Sequence, residues 1–392
     1  MEAQSGDVRR ETGWICSAAW PIFVFLVARV FLSALGGVLF LLGVVPLTAD
    51  PVLRPYFGLA PVTEGWPGAL LGVWLRFDAV HYLRIASQGY SAVDLSVYFP
   101  LYPLLVRAAG MVLGKDYLLG GILVSNLAAV AALILFDRLL EDEFRDNGLA
   151  RRACVFLMAF PTAFFLLAPY PESLALLCSL LAFRQVRRDR WLLAGAVGLA
   201  SALTRPQGAV MSLVMVVEVA RQWRRGRRPS PAALLASTLP LLGLAGFLSY
   251  RAWVGLPPLN AVLSLYWARE AAVPFAAVFS TLQRIASGTA SAIEFVDLAA
   301  VILMTVIGVV VVRRLHPLYA IYHWSVLLLN LSQFRLPQPI SSQARYALAL
   351  FPAFIALGQM GSSARRYRLM LYPSIALWAL LAGEFLVWGW VG

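Results

Sequence analysis

Long apolar runs separated by short polar segments recur from one end of the chain to the other, and this pattern limits its fold more than any single motif. Runs of this kind mark repeated bilayer crossings. Inside hydrocarbon every backbone N–H and C=O must be bonded within the protein, so the runs are expected to be helices. A β-barrel would need short alternating segments instead, and none is evident. Composition agrees: 60% of the 392 residues are hydrophobic and 13% are charged, against about half and about a quarter in soluble domains. The runs fall at 14–45, 117–136, 153–168, 173–183, 191–203, 208–220, 232–250, 296–312, 318–329, 346–357 and 369–388. They predict an all-α polytopic bundle of about eleven transmembrane helices, with residues 1–392 forming a single integral membrane domain.

The formal net charge is +12, and nearly all of the positive charge is arginine in short loops between apolar runs. Arg184, Arg187, Arg188 and Arg190 form one cluster, and Arg221, Arg224, Arg225, Arg227 and Arg228 another. Arg313–Arg314 and Arg365, Arg366 and Arg368 follow. Such placement obeys the positive-inside rule and argues against nucleic-acid binding, for which no motif is present. Cys16, Cys154 and Cys178 lie in apolar runs and imply neither a disulfide framework nor a metal site. Arg9 and Arg10 precede a first run too long for a signal-peptide core, which reads as a retained span.

Segment 99–114 is apolar but short, and it opens Phe99-Pro100-Leu101-Tyr102-Pro103. If it crosses, the later arginine loops fall out of phase; if it is re-entrant or interfacial, they fall on one side. The second choice puts the N-terminus in the cytoplasm and the C-terminus outside. Residues 46–116 then form an outer loop with interfacial or re-entrant helices. Segments 169–172, 204–207, 252–295 and 330–345 join it on the outer face. Asp78, His81, Glu172, Arg205, Arg335 and Arg345 all belong to that face. Charges at the edge of a hydrocarbon region line a cavity or pair with one another, so one outward-opening polar cavity is expected.

Asp78, His81 and Tyr82 stand at i, i+3 and i+4, on one face of a helix. A carboxylate there could take a proton from a hydroxyl as its oxygen attacks an activated carbon. Asp78 could equally cap a surface helix, with His81 and Tyr82 as interfacial anchors. As a surface residue it would be replaceable at little cost to folding. Glu172 follows Tyr170-Pro171 and suits the N-terminal end of a helix. Arg205 and Arg345 sit at span edges. The planar guanidinium fork fits a phosphate, and the alternative for each is snorkelling to the headgroups. His316 and His323 have no carboxylate or cysteine at metal-ligand spacing. No P-loop, dinucleotide fingerprint or Gly-x-Ser-x-Gly is present. A sugar donor, if there is one, should therefore be a membrane lipid.

At these residues the chain resembles the PIG-V family of mannosyltransferases, of the GT-C class of polytopic glycosyltransferases. The matching segments come in order. Phe77-Asp78-Ala79-Val80-His81-Tyr82-Leu83-Arg84-Ile85-Ala86 is followed by Gly89-Tyr90 and then Tyr98-Phe99-Pro100-Leu101-Tyr102-Pro103. Phe160-Pro161-Thr162-Ala163 leads to Tyr170-Pro171-Glu172-Ser173. Thr204-Arg205-Pro206-Gln207-Gly208 and Arg345-Tyr346 with Phe351-Pro352 complete the set. Phe77 stands where the family often has Trp, and Phe160 where it often has Asn.

The resemblance implies a GT-C-like fold and inverting transfer of a sugar, mannose, outside the cytoplasm. The donor it implies is a polyprenyl-phosphate sugar, and the acceptor a glycolipid or other extracytoplasmic molecule. Asp78 would be the base, with His81, Tyr82 and Glu172 orienting acceptor or base and Arg205 and Arg345 holding the donor phosphate. No metal or other cofactor is expected, and the compact, arginine-rich chain suggests a multi-pass protein of a prokaryotic cell membrane. Two rivals remain: a transporter or flippase of a lipid-linked sugar, which should carry ionisable residues deep within its spans, and a non-catalytic membrane scaffold.

Overall fold

Capping side chains start many of the helices in the computed structural model. It describes residues 2–46 and 48–391, with side chains from residue 18 onward, so Arg9, Arg10 and Cys16 lie outside the described side chains. The first part of the chain forms α1 (Glu2–Leu41), α2 (Gly65–Leu70), α3 (Asp78–Gln88), α4 (Leu101–Val112), α5 (Tyr117–Phe144) and α6 (Asn147–Met158). Then come α7 (Glu172–Arg187), α8 (Trp191–Thr204), α9 (Val210–Arg224), α10 (Pro231–Trp253), α11 (Leu259–Trp267) and α12 (Ala276–Ala286). The last five are α13 (Ala292–Arg314), α14 (Pro317–Leu331), α15 (Gln343–Tyr346), α16 (Phe351–Met360) and α17 (Ala364–Leu386). Asp116 and Asp146 accept from the Leu119 and Leu149 N–H groups at 2.9 Å and so cap α5 and α6. Ser230 with Pro231 starts α10, and a Ser291–Glu294 capping box starts α13.

Five helical segments are long and apolar enough to cross a bilayer: Ala18–Leu41 of α1, α5, α10, α13 and α17. The other expected crossings fall short of that length. α8 and α16 have 14 and 10 residues, and α7 and α9 end on arginines. Run 153–168 breaks near Phe160-Pro161, where α6 stops and a 3-10 turn over Ala163–Leu166 follows. An apolar run records burial against neighbouring helices as well as against lipid, so helix length supports five of the eleven expected crossings and run count alone does not fix the number.

The α8–α10 contact uses small residues. A Cβ at Gly195 would lie 2.8 Å from the Ala236 Cα, and one at Gly243 2.9 Å from the Leu199 carbonyl oxygen. Glycine there lets the two backbones approach closely. α4 runs back along only the first turns of α5. Its Tyr102 hydroxyl donates to the Gly121 carbonyl at 3.2 Å and meets the Ser125 hydroxyl at 2.8 Å, and Gly110 packs on Tyr117.

The bundle has two chemically different ends. At one, Arg184 and Arg188 pair with Asp142, Arg187 pairs with Glu143, and Arg187 and Arg221 meet His316. α7 joins this end to the other, where Glu172 begins it. A small antiparallel ribbon, β1 (Arg269–Ala271) and β2 (Gln333–Arg335), lies near Glu172's end of the bundle and borders the same cavity as Asp78.

Candidate active site

Asp78 is the first residue of α3, and the turn before it is held tightly. Phe77 has φ 48°, a costly conformation for a bulky side chain. Its ring is fixed among Phe385, Trp388 and Trp390. Buried Arg76 donates to the Tyr56 hydroxyl and to the Gly72 and Leu75 carbonyls, all at 3.1 Å. Arg345 is placed in the same way. Ser342, with φ 63°, precedes α15. Asp297 accepts from the Ala344 N–H at 2.8 Å, and the Thr162 hydroxyl donates to the Ala344 carbonyl at 2.7 Å. For Glu172, the Ser125 hydroxyl donates to the Tyr170 carbonyl at 3.0 Å. For Arg205, a Cβ at Gly208 would sit 2.2 Å from the Ser201 carbonyl carbon, so only glycine permits so tight a turn between α8 and α9.

These four elements bring their charges into one network. Asp78 Oδ2 accepts from Arg345 Nη1 at 2.6 Å, and Asp78 Oδ1 accepts from the Tyr98 hydroxyl at 3.1 Å. Arg345 Nε donates to Glu172 Oε1 at 2.5 Å, and Arg205 Nη1 donates to the same oxygen. The Arg345 guanidinium also lies over the Tyr170 ring, 4.8 Å from its centroid. Glu172 and Arg345 keep only 3% and 5% of their side-chain exposure, while Asp78 and Arg205 each keep 15%. Burial alone would raise the Asp78 carboxyl. The Arg345 charge and hydrogen bond, with His81 and Arg269 further off, hold it below the usual carboxylate range. Burial likewise opposes the charge on Arg345, but Glu172 and Asp78 outweigh it. The network therefore keeps Asp78 ionised.

Asp78 opens onto a cavity of about 240 Å³. Tyr82, Tyr98, Arg205, Arg269, Arg335, Arg345 and Trp267 are among its lining residues, and Asp78 is the one acid among them. A larger cavity of about 730 Å³ adjoins it between α10, α11 and the ribbon. The two share Leu259, Leu263, Arg269 and Gln333, and the larger is mostly apolar.

The candidates named from sequence do converge, in unequal roles. Tyr82 lines the cavity, edge-on to Tyr98 and Tyr102. His81 does not line it. Its ring is packed among Phe57, Tyr98 and Trp267 at 4.9, 5.3 and 5.2 Å, and burial lowers its basicity. Glu172 lies behind the two arginines, outside the lining of the main cavity. Asp78 is a member of a largely buried network, which corrects the surface placement expected from sequence. Tyr98, Arg269, Asp297 and Thr162 were not foreseen. Neither Arg269 nor Tyr98 had a periodic signal to mark it: Arg269 had only its place in an outer segment, and Tyr98 only its place at the head of the Tyr98-Phe99-Pro100 segment. Among the described residues no group of three or more His, Cys, Asp or Glu could hold a metal ion.

No protein-family model matches the chain. It is similar to GPI mannosyltransferase 2 of Yarrowia lipolytica, 30% identical over 126 residues, which is 31% of this chain and 35% of that protein. It is similar also to GPI mannosyltransferase 2 of Cryptococcus neoformans var. neoformans, 31% identical over 110 residues, 26% of each chain. The match thus spans about a third or less of these relatives' length. The resemblance to the PIG-V mannosyltransferases carried by the motifs is therefore present in aligned sequence as well. Two crystal structures of the Archaeoglobus fulgidus oligosaccharyltransferase superpose with TM-scores of 0.43 and 0.45 at 13% identity, covering 92% and 95% of this chain and 53% and 55% of that one.

Proposed function

We propose that this chain is a membrane glycosyltransferase that moves a sugar, mannose, from a polyprenyl-phosphate donor to a lipid-linked or other extracytoplasmic acceptor, with inversion. The observation that carries the reading is the cavity itself: one carboxylate faces a group of arginines where polar space meets apolar space. The named relatives, both mannosyltransferases, support the sugar.

In the reaction, an acceptor hydroxyl attacks the anomeric carbon of the donor while Asp78 takes its proton. The bond from that carbon to the phosphate oxygen breaks, and the electron pair stays on the departing lipid phosphate. Attack from the face opposite the leaving group inverts the carbon. One base suffices, because a phosphate needs little protonation to leave. Fixed cations stabilise its growing charge, and they need no reorganisation as the charge develops. Arg205 and Arg345 supply that charge from the cavity floor. Glu172 holds both of them, and through Arg345 it orients the base. Pairing with Arg345 lowers the basicity of Asp78. A donor phosphate that draws on the same guanidinium returns some of it, so the base strengthens once the donor is bound. The apolar cavity beside the ribbon suits the first isoprene units of the donor. The donor is itself the activated species, so no cofactor enters, and the site faces away from the arginine-rich cytoplasmic end.

The test is to incubate purified protein with radiolabelled polyprenyl-phosphate-mannose and a membrane lipid extract. Label passing into a new organic-soluble or acceptor-bound product supports the reading and identifies the acceptor. Label that merely crosses a vesicle bilayer still attached to its donor would support the flippase instead.

A further inference from the structure

The charges around the cavity do not cancel. Asp78 and Glu172 engage Arg345, and Glu172 also engages Arg205. Arg269 and Arg335 form no ion pair among the described residues. Their side chains rest on neutral groups: Arg269 donates to the Tyr346 hydroxyl at 2.8 Å and the Ser342 hydroxyl at 3.3 Å. Arg335 donates to the Ser341 hydroxyl at 3.2 Å and lies over the Trp390 ring. Around the cavity, two positive charges are therefore left over.

The ribbon sets these two arginines directly opposite each other, since Arg269 and Arg335 are register partners of β1 and β2. Paired residues on adjacent strands project from the same face. Like charges so placed destabilise a strand pair. Burial and the Arg269 charge both pull the Arg335 guanidinium below its ordinary value, whereas at Arg269 burial is outweighed by Tyr346 and Asp78, which hold it above its own, so the strain of the pair falls on Arg335. Both side chains border the cavity that holds Asp78, and Arg269 with Gln333 also borders the apolar cavity. An anion at that junction would relieve the repulsion, accept two guanidinium forks and leave an apolar tail room beside it.

We propose that Arg269 and Arg335 complete the phosphate site as a clamp that grips the donor's phosphate from the ribbon side, while Arg205 and Arg345, already partnered by Glu172 and Asp78, face it from the cavity floor. The proposal rests on the sugar-transfer reading above. It adds that the surplus of two positive charges matches the dianion formed when the lipid phosphate departs. The clamp would hold the product phosphate more tightly than the singly charged donor ester.

The experiment measures binding of polyprenyl monophosphate, and of the uncharged polyprenol, to the purified full chain in detergent. The proteins compared are the parent, Arg335→Gln, Arg335→Lys and Arg269→Gln. Losing a charge-assisted contact should weaken polyprenyl phosphate about tenfold to a hundredfold in the Gln variants, and less in Arg335→Lys, which keeps the charge. Polyprenol binding should not change. Without ligand, the unfolding midpoint of Arg335→Gln should not fall, because a repulsion is removed; a merely structural arginine would lower it. Parent-like phosphate affinity in both Gln variants overturns the clamp and leaves the sugar-transfer reading standing. A parent protein that binds no polyprenyl phosphate overturns both.

Discussion

Replacing Glu172 by Gln should destabilise the protein through the arginines it leaves behind. Glu172 is 3% exposed and receives both Arg345 and Arg205 on one oxygen. Glutamine preserves the shape and an acceptor but removes the charge that two guanidinium groups share. Removing one partner of a buried pair costs about 3–5 kcal/mol, because the other is left uncompensated. Here Arg345 keeps Asp78 at 2.6 Å, and Arg205 has 15% exposure and the Tyr346 ring at 4.9 Å. The cost should therefore fall near the lower limit, about 3 kcal/mol. Thermal unfolding of the detergent-solubilised protein reads it as a lowered midpoint. A double-mutant cycle with Arg205→Gln identifies the source. Removing Arg205 as well takes away one stranded charge, so the double variant should be less destabilised than the sum of the singles by about 0.5–3 kcal/mol. An unchanged midpoint in Glu172→Gln, or strict additivity, would refute the idea that this carboxylate holds the arginines in place.

Other perturbations probe the same account. Asp78 is held below the usual carboxylate range, so its ionised form is favoured in the fold. The stability it gives is present above its unfolded value of about 4 and is lost as pH falls through the lower folded value. Activity that depends on Asp78 as a carboxylate should thus show no acid limb from this group above about pH 5; a kcat/KM profile with a limb near neutrality that vanishes in Asp78→Asn would contradict this. Arg345→Lys keeps the charge but cannot bridge Asp78 and Glu172 through two different nitrogens, so turnover should fall sharply, and more than in Arg205→Lys; parent-like rates in both variants would count against the network. Cysteines placed at positions 225 and 52 test the orientation: a membrane-impermeant reagent added outside cells should label 52, in the exposed part of segment 46–116, and spare 225.

Much of this site was legible in the sequence because its residues lie in short local patterns. Asp78 with Tyr82, Tyr170-Pro171-Glu172, Thr204-Arg205-Pro206-Gln207-Gly208 and Arg345-Tyr346 each put a polar group at the end of an apolar run. Charge parity then assigned those ends to one face before any contact was known. What could not be read was pairing across the bundle. Glu172 and Arg345 are far apart in the chain, yet they share a hydrogen bond. The cross-strand meeting of Arg269 and Arg335 depends on three-residue strands too short to leave a periodic signal. The one-face reading of α3 was also too simple. Asp78 and Tyr82 reach the cavity, whereas His81 turns into a ring cluster behind it, because tertiary packing selects among side chains that a helical wheel treats alike.

The most direct test of the central claim compares the parent with Asp78→Asn in transfer of labelled mannose from polyprenyl-phosphate-mannose. Asparagine keeps the size, and its single amide oxygen can still accept from Arg345 while its NH2 takes the place of the oxygen that Tyr98 donates to, but it cannot take the acceptor's proton. Loss of a general base costs on the order of 100- to 10,000-fold in rate. Some stability should be lost too, since the Arg345 contact is largely buried, so the folded fraction and donor binding are measured on the same samples. Folded Asp78→Asn should bind donor with near-parent affinity and transfer sugar at least about 100-fold more slowly. Folded variant that binds donor and transfers at the parent rate would contradict it.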